Sequence, residues 1–311
     1  MSKEIKTHHN FWQQMVALGK LMHRSFLELK MNDPLRMAGA TAFFTTFALP
    51  PILIIIIQLL GLFVDPRKVS VDLIERLSHV LGNTSALQIK VTLEAFRSMG
   101  QNWYVTIFGF IFLMFVATTL FAVIKNSLDQ IWNIRIRPHA GFVFKLKSRI
   151  RSLIIIILAG MLFFIGVFTE GVQVFLGNYV DDIWKGAGIF ASRFVNEVVF
   201  VIIVTIWITI LFRFLTAGRP KWTLAIGGGF FTAILVTAGK IVLRFMLAFS
   251  KIGTIYGASG SIVLIMLFVF YSALIFYYGG CFVKILSEVY DKPIRPVKEA
   301  FTFELLEINP S

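Results

Sequence analysis

Apolar residues run in long blocks along this chain, and six of the blocks reach membrane-crossing length: 38–63, 103–124, 152–176, 194–215, 224–249 and 260–283. A helix needs about 20 consecutive apolar residues to cross the hydrocarbon, so each block predicts one transmembrane helix. The pattern ahead of the first block is different. Phe11, Met15, Leu18, Met22, Phe26 and Leu29 recur every three or four positions, with Lys20, Arg24 and Lys30 between them. That spacing predicts an amphipathic helix, lying on the membrane surface or packed against neighbouring loops. Residues 68–98 predict one or two helices outside the bilayer, divided at the turn-like Gly82-Asn83. The pattern therefore reads as an all-α integral membrane protein. It has an N-terminal segment 1–37, a six-helix transmembrane domain 38–283 and a polar tail 284–311. No apolar core precedes residue 38, so the start does not read as a cleaved signal peptide.

Composition supports this class. Residues AVILMFWYC make up 57% of the chain and charged residues only 15%, with a mean hydropathy of +0.79, far from a soluble domain. The net charge of +13 takes its meaning from placement. Segment 1–37 carries six Lys and Arg, loop 125–151 carries seven against the single acid Asp129, and 213–223 carries Arg213, Arg219 and Lys221 with no acid. On the other side, 177–193 balances two basic residues with two acids, and 250–259 has only Lys251. The positive-inside rule then places both termini in the cytoplasm. The charge reads as a topology signal and a contact with anionic headgroups, not as a nucleic-acid footprint. Membrane lipids are the expected partners, and the sequence leaves oligomeric state open.

Two cations stand inside the fifth block. By helical rise Lys240 lies about 13 Å from the outer end of that block and Arg244 about 7 Å from it. A charge near the bilayer centre costs about 2.5–3.5 kcal/mol on insertion scales and usually faces the bundle interior. Glu170 and Glu197 lie in the outer halves of the third and fourth blocks, and Gln173 shares the face of Glu170. These five residues form a candidate ligand-binding cluster. Gly228 and Thr232 continue the stripe of Lys240 and Arg244, and Ala225, Gly229, Ala233 and Thr237 form the stripe beside it. Small residues admit close helix approach, so this side of the helix is expected to face protein. Three readings stay open: an ion-pair staple, a polar cavity for an anionic headgroup, and snorkelling of both side chains to the interface.

Weaker features complete the inventory. Pro50-Pro51 removes two backbone donors and predicts a kink or break in the first span. Thr41 and Thr45 sit one turn apart and suit hydrogen bonds to a neighbouring helix or a ligand. Tyr256, Gly257 and Gly260 predict a tight turn entering the sixth span, and Tyr271, Tyr277 and Tyr278 suggest an aromatic belt.

Three stretches, in order, resemble the YihY/BrkB family of bacterial inner-membrane proteins: DPLRMAGATAFFTTFALPP at 33–51, KNSLDQIW at 125–132 and YGASGSIVLIMLFVFYSALIFYYGG at 256–280. The resemblance covers nearly the whole chain. It implies a six-helix inner-membrane fold and an envelope role, associated in some members with serum resistance and virulence. Many members carry Gly-Ala-Glu near the end of the last helix, where this chain has Gly279, Gly280 and Cys281. A ribonuclease name has been attached to the family, but these residues give it no support. The five histidines are scattered, the lone Cys281 builds no metal site, and no phosphate loop or metalloprotease motif occurs. The expectation is a protein without catalytic residues, metal or cofactor. Two functions are open: a transporter or flippase for an anionic amphiphile or lipid, and a non-transporting membrane scaffold.

Overall fold

A computed structural model describes residues 11–60, 65–81, 83–98, 103–138, 146, 149–151, 154–158, 161–162, 187–249 and 260–304. Among the described residues the main helices are α1 (Phe11–Met31), α2 (Pro34–Leu60), α3 (Pro66–Leu81), α4 (Asn83–Ser98) and α5 (Trp103–Ile131), followed by α6 (Ala187–Ile210), α7 (Trp222–Phe249) and α8 (Gly260–Val289). Their ends follow local chemistry. Asp33, Asn133 and Asp291, just past the ends of α1, α5 and α8, have φ of 51°, 53° and 49°. Asx residues tolerate this left-handed geometry, which closes a helix. Pro34 then opens α2, where its missing N–H has no helical partner to lose.

Among the described residues three stretches are long and apolar enough to cross a membrane: Glu197–Leu215, Trp222–Lys240 and Ile262–Val289. They answer to the last three expected blocks. Helices α2 and α5 occupy the first two, and the third lies largely outside the described residues. Many outward side chains are apolar, including Phe43, Phe47, Phe112, Ile202, Ile226 and Phe230. A helix apolar on its outer as well as its inner face is suited to lipid.

Helix α8 is the centre of the packing and touches α1, α2, α4, α5 and α7. Its fully buried Tyr277 and Val283 meet Leu128 and Ile131 of α5 and Phe212 beyond α6 in one core cluster. At the opposite end, Leu53, Ile56 and Leu60 of α2 pack with Val69, Leu73, Ile89 and Leu93 of α3 and α4 and with Ile265 of α8. Helix α3 ends at Leu81 and α4 starts at Asn83, beside the turn signal of the sequence.

Two expectations change. Helix α2 runs through Pro50 and Pro51 without a break. Its two halves are anchored separately, through Ala38 and Ala42 on one side and Leu53 and Ile57 on the other, and this packing holds the helix across the two lost donors. Tyr277 is a buried core residue and not part of an interfacial belt. On α1, Ser25 and Leu29 are buried while Leu18 and Phe26 are exposed, so the expected apolar face is divided between protein and the exterior. The tail folds back on the rest of the chain. Beyond α8, β3 (Arg295–Pro296) pairs antiparallel with β2 (Gly218–Arg219), and β4 (Ala300–Thr302) pairs with β1 (Ile134–Ile136). The two ribbons add a small β element to an otherwise helical chain. They tie the tail to the segments that follow α5 and α6.

Candidate functional site

Lys240, the first of the two cations in the fifth apolar block, is held by a partner. Its Nζ lies 3.0 Å and 2.9 Å from the two carboxylate oxygens of Glu197 on α6 and 4.2 Å from the centre of the Phe200 ring. Lys240 is 19% exposed and Glu197 53% exposed. One carboxylate and one ring thus take up the ammonium, and the geometry is that of a staple between α6 and α7. The side chain of Arg244 and all of Glu170, Gln173, Tyr256 and Gly257 lie outside the described residues, and Gly260 begins α8. The structure therefore brings together one pair of the expected cluster.

The small-residue stripes of α7 face protein. Thr232, Ala225 and Ala233 are fully buried. A side chain on Gly228 would meet Val283, one on Gly229 would meet Thr209 and the Thr205 carbonyl, and one on Gly279 would meet Thr232. Thr41 and Tyr277 join α2 to α8 through a buried 2.6 Å hydrogen bond. Thr41 also bonds the Met37 carbonyl. Its single hydrogen goes there, so Tyr277 donates to Thr41.

The stretch KNSLDQIW forms a junction. Lys125 and Asp129 make a buried pair at 3.0 Å, each side chain 7% exposed. Asp129 also accepts the Ala217 N–H at 2.8 Å, which fixes the turn between α6 and α7. Burial pushes the Asp129 carboxyl above its ordinary value even against the pull of Lys125 and the backbone donors. The indole of Trp132 donates to the Gly280 carbonyl at 2.9 Å, and Gln130 accepts from Arg36 at 3.0 Å. Asp129, Gln130 and Trp132 each bond another part of the chain, which makes the stretch a clamp among α2, α5, α8 and the α6–α7 turn. Among the described residues no three of His, Cys, Asp and Glu converge.

The α6–α7 turn gathers several cations. Helix α6 ends in a wide π-turn, Leu211–Leu215, that buries Leu211, Phe212 and Leu215 and leaves Arg213 half-buried at the edge. Arg213 donates to the Pro220 carbonyl and lies over the Trp222 ring, and Arg219 donates to the Arg213 carbonyl and lies over Phe214. Strand pairing sets Arg295 directly opposite Arg219. Arg213, Arg219, Lys221 and Arg295, with Trp222 and Pro293, line a cavity of about 370 Å³. Among the described residues none of the four forms an ion pair. Burial, with Arg151 and Arg213 nearby, pushes the Arg219 guanidinium below its ordinary value against the opposing pull of Asp129, although an arginine stays charged at neutral pH. Spacing along the sequence does not reveal this cluster. GRPK at 218–221 reads as a short basic turn, and Arg295 reaches it only because the tail folds back.

Helix α7 connects the two charged regions. From Trp222 to Lys240 is 18 residues (240 − 222), about 27 Å of helix, close to one hydrocarbon thickness.

Among curated proteins and among solved structures no match was found. A family model described as "Virulence factor BrkB" matches residues 25–301, a range that takes in the end of α1, the clamp, the β2–β3 ribbon and the basic cavity. By that match over nearly its whole length, the chain belongs to the BrkB family.

Proposed function

We propose that this chain is a six-span inner-membrane protein, with both termini in the cytoplasm, that binds an anionic amphiphile of the cell envelope and carries it between leaflets. In this reading it is a transporter or flippase and not an enzyme. The observation that carries the reading is the cavity lined by Arg213, Arg219, Lys221 and Arg295 with no ion pair among the described residues. Like charges drawn together repel one another, and opposed across a ribbon they destabilise it. Such an arrangement is stabilised by an anion bound between them. Segments 1–37, 125–151 and 213–223 hold most of the chain's Lys and Arg. That bias supports placing this end at the cytoplasmic surface, where anionic headgroups concentrate.

The second reading, a scaffold that moves nothing, is favoured by Lys240 and Glu197, whose charges are spent on each other and on Phe200. Lipid analysis of the purified protein separates the two at the level of binding. The transporter reading expects anionic lipid enriched over its share of the source membrane. Lipid retained only in membrane proportion would sink the anionic specificity and leave the scaffold.

A further inference from the structure

Beside the basic cavity lies a second space of about 510 Å³, between α1, α7 and α8. Its walls include Leu21 of α1, Phe230, Phe231 and Ile234 of α7, and Phe282 and Leu286 of α8. Consecutive residues line the two spaces at two places. Trp222 lines the first and Thr223 the second, and Pro293 lines the first and Lys292 the second. From Thr223 to Ile234 the apolar space follows eleven residues of α7 (234 − 223), about 16 Å of helix away from the charged end.

We infer that the cavity and the groove are one two-part site, which takes a phosphate headgroup among Arg213, Arg219, Lys221 and Arg295 and the attached apolar chain along α7. The inference rests on the reading of the chain as a binder of anionic amphiphiles and names where such a molecule sits. Several features select phosphate. A guanidinium presents paired donors that match two oxygens of one phosphate. Arg213 and Arg219 each use one donor on a main-chain carbonyl and lie over a ring, so they are held in place before a ligand arrives and keep further donors to offer. Helix α7 starts at Trp222, and its first intrahelical bonds are those of Leu224 and Ala225 to the Lys221 carbonyl. The earlier N–H groups and the positive end of the helix dipole therefore add to the field at the cavity. The groove selects an apolar chain because its walls are aromatic and aliphatic, and Lys292 stands at the junction with the headgroup space.

The test uses the full-length protein in detergent, presented with equal phosphatidylglycerol and phosphatidylcholine and read by native mass spectrometry. Arg219→Gln, Arg295→Gln and Lys221→Gln address the headgroup. Phe230→Ala addresses the groove, and Lys240→Gln serves as a control remote from both. Thermal unfolding shows which variants remain folded. Arg295 and Lys221 are exposed, so their variants keep the test open should Arg219→Gln fail to fold. The expected result is retention of phosphatidylglycerol over phosphatidylcholine, reduced about tenfold by each headgroup variant, reduced by Phe230→Ala and unchanged by Lys240→Gln. Inorganic phosphate at millimolar concentration should compete weakly, because it lacks the chain. Full displacement by inorganic phosphate, with Phe230→Ala inert, would overturn the two-part site in favour of a free-phosphate site. Phosphatidylglycerol held equally by every folded variant would overturn the location and leave the amphiphile reading standing. No anionic preference in the wild-type protein would overturn both.

Discussion

At the scale of single residues, two ion pairs separate by their surroundings. Lys125 and Asp129 are each 7% exposed, so Lys125→Ala leaves a carboxylate buried without its cation. That loss is expected to cost about 3–5 kcal/mol, to be read as a lower unfolding temperature in detergent. Lys240 and Glu197 form an equally short pair, but Glu197 is 53% exposed and keeps access to its surroundings. Lys240→Met is therefore expected to cost about 1 kcal/mol or less. A larger loss for Lys240→Met than for Lys125→Ala, in the same unfolding series, would contradict this ranking. The sequence draws attention to Lys240 because it stands in an apolar block, and leaves Lys125 unremarked because it stands at the edge of one. The more deeply buried charge is the less conspicuous one, because burial here comes from α2, α8 and the α6–α7 turn closing over the end of α5.

At the scale of elements, helix contacts follow side-chain size. The stripe Gly228-Thr232 meets α8 at Val283 and Gly279, and the stripe Gly229-Ala233 meets α6 at Thr205 and Thr209. This was legible in the sequence, because a period of four among small residues specifies a face. Gly279→Leu inserts four carbons where one added carbon already meets Thr232. It is expected to cost about 1–3 kcal/mol through overpacking or to prevent assembly. Gly227→Ala sits at ordinary contact distance, 3.6 Å from Leu286, and should be neutral or slightly stabilising, since alanine favours helix over glycine by about 1 kcal/mol. Thermal unfolding of the two variants, side by side, checks the contrast. How α1 divides its apolar face was not legible. Its apolar residues divide between Leu29, which faces protein, and Leu18 and Phe26, which do not, and only the groove of the partner helix decides between them. The two ribbons were also hidden, because Arg295–Pro296 and Ala300–Thr302 are too short to show a strand period.

At the scale of the whole molecule, charge is arranged unequally along α7. One end holds a closed pair. About 27 Å away, the other holds four cations around a cavity with an apolar groove beside it. Hydropathy and the Lys and Arg counts made the membrane class legible, since both are sums over many residues and survive local error. The basic site was not, since it depends on the tail returning to the α6–α7 turn, a contact between residues far apart in sequence. The small groups that allow close packing, the clamp at Lys125–Asp129 and the tail ribbons all hold this end in one geometry. An anion would then find its partners already in position.

The central claim, that this BrkB-family chain handles an anionic amphiphile across the bilayer, is tested most directly by lipid translocation in proteoliposomes. Fluorescent phosphatidylglycerol and phosphatidylcholine are placed in both leaflets, and the fraction protected from an impermeant quencher is followed with time. The account predicts that the wild-type protein speeds loss of protection for phosphatidylglycerol and leaves phosphatidylcholine near the protein-free rate. Arg219→Gln should slow the former about tenfold. Protein-free rates for both lipids, from preparations that retain phosphatidylglycerol, would contradict transport and leave a membrane scaffold that binds lipid without moving it.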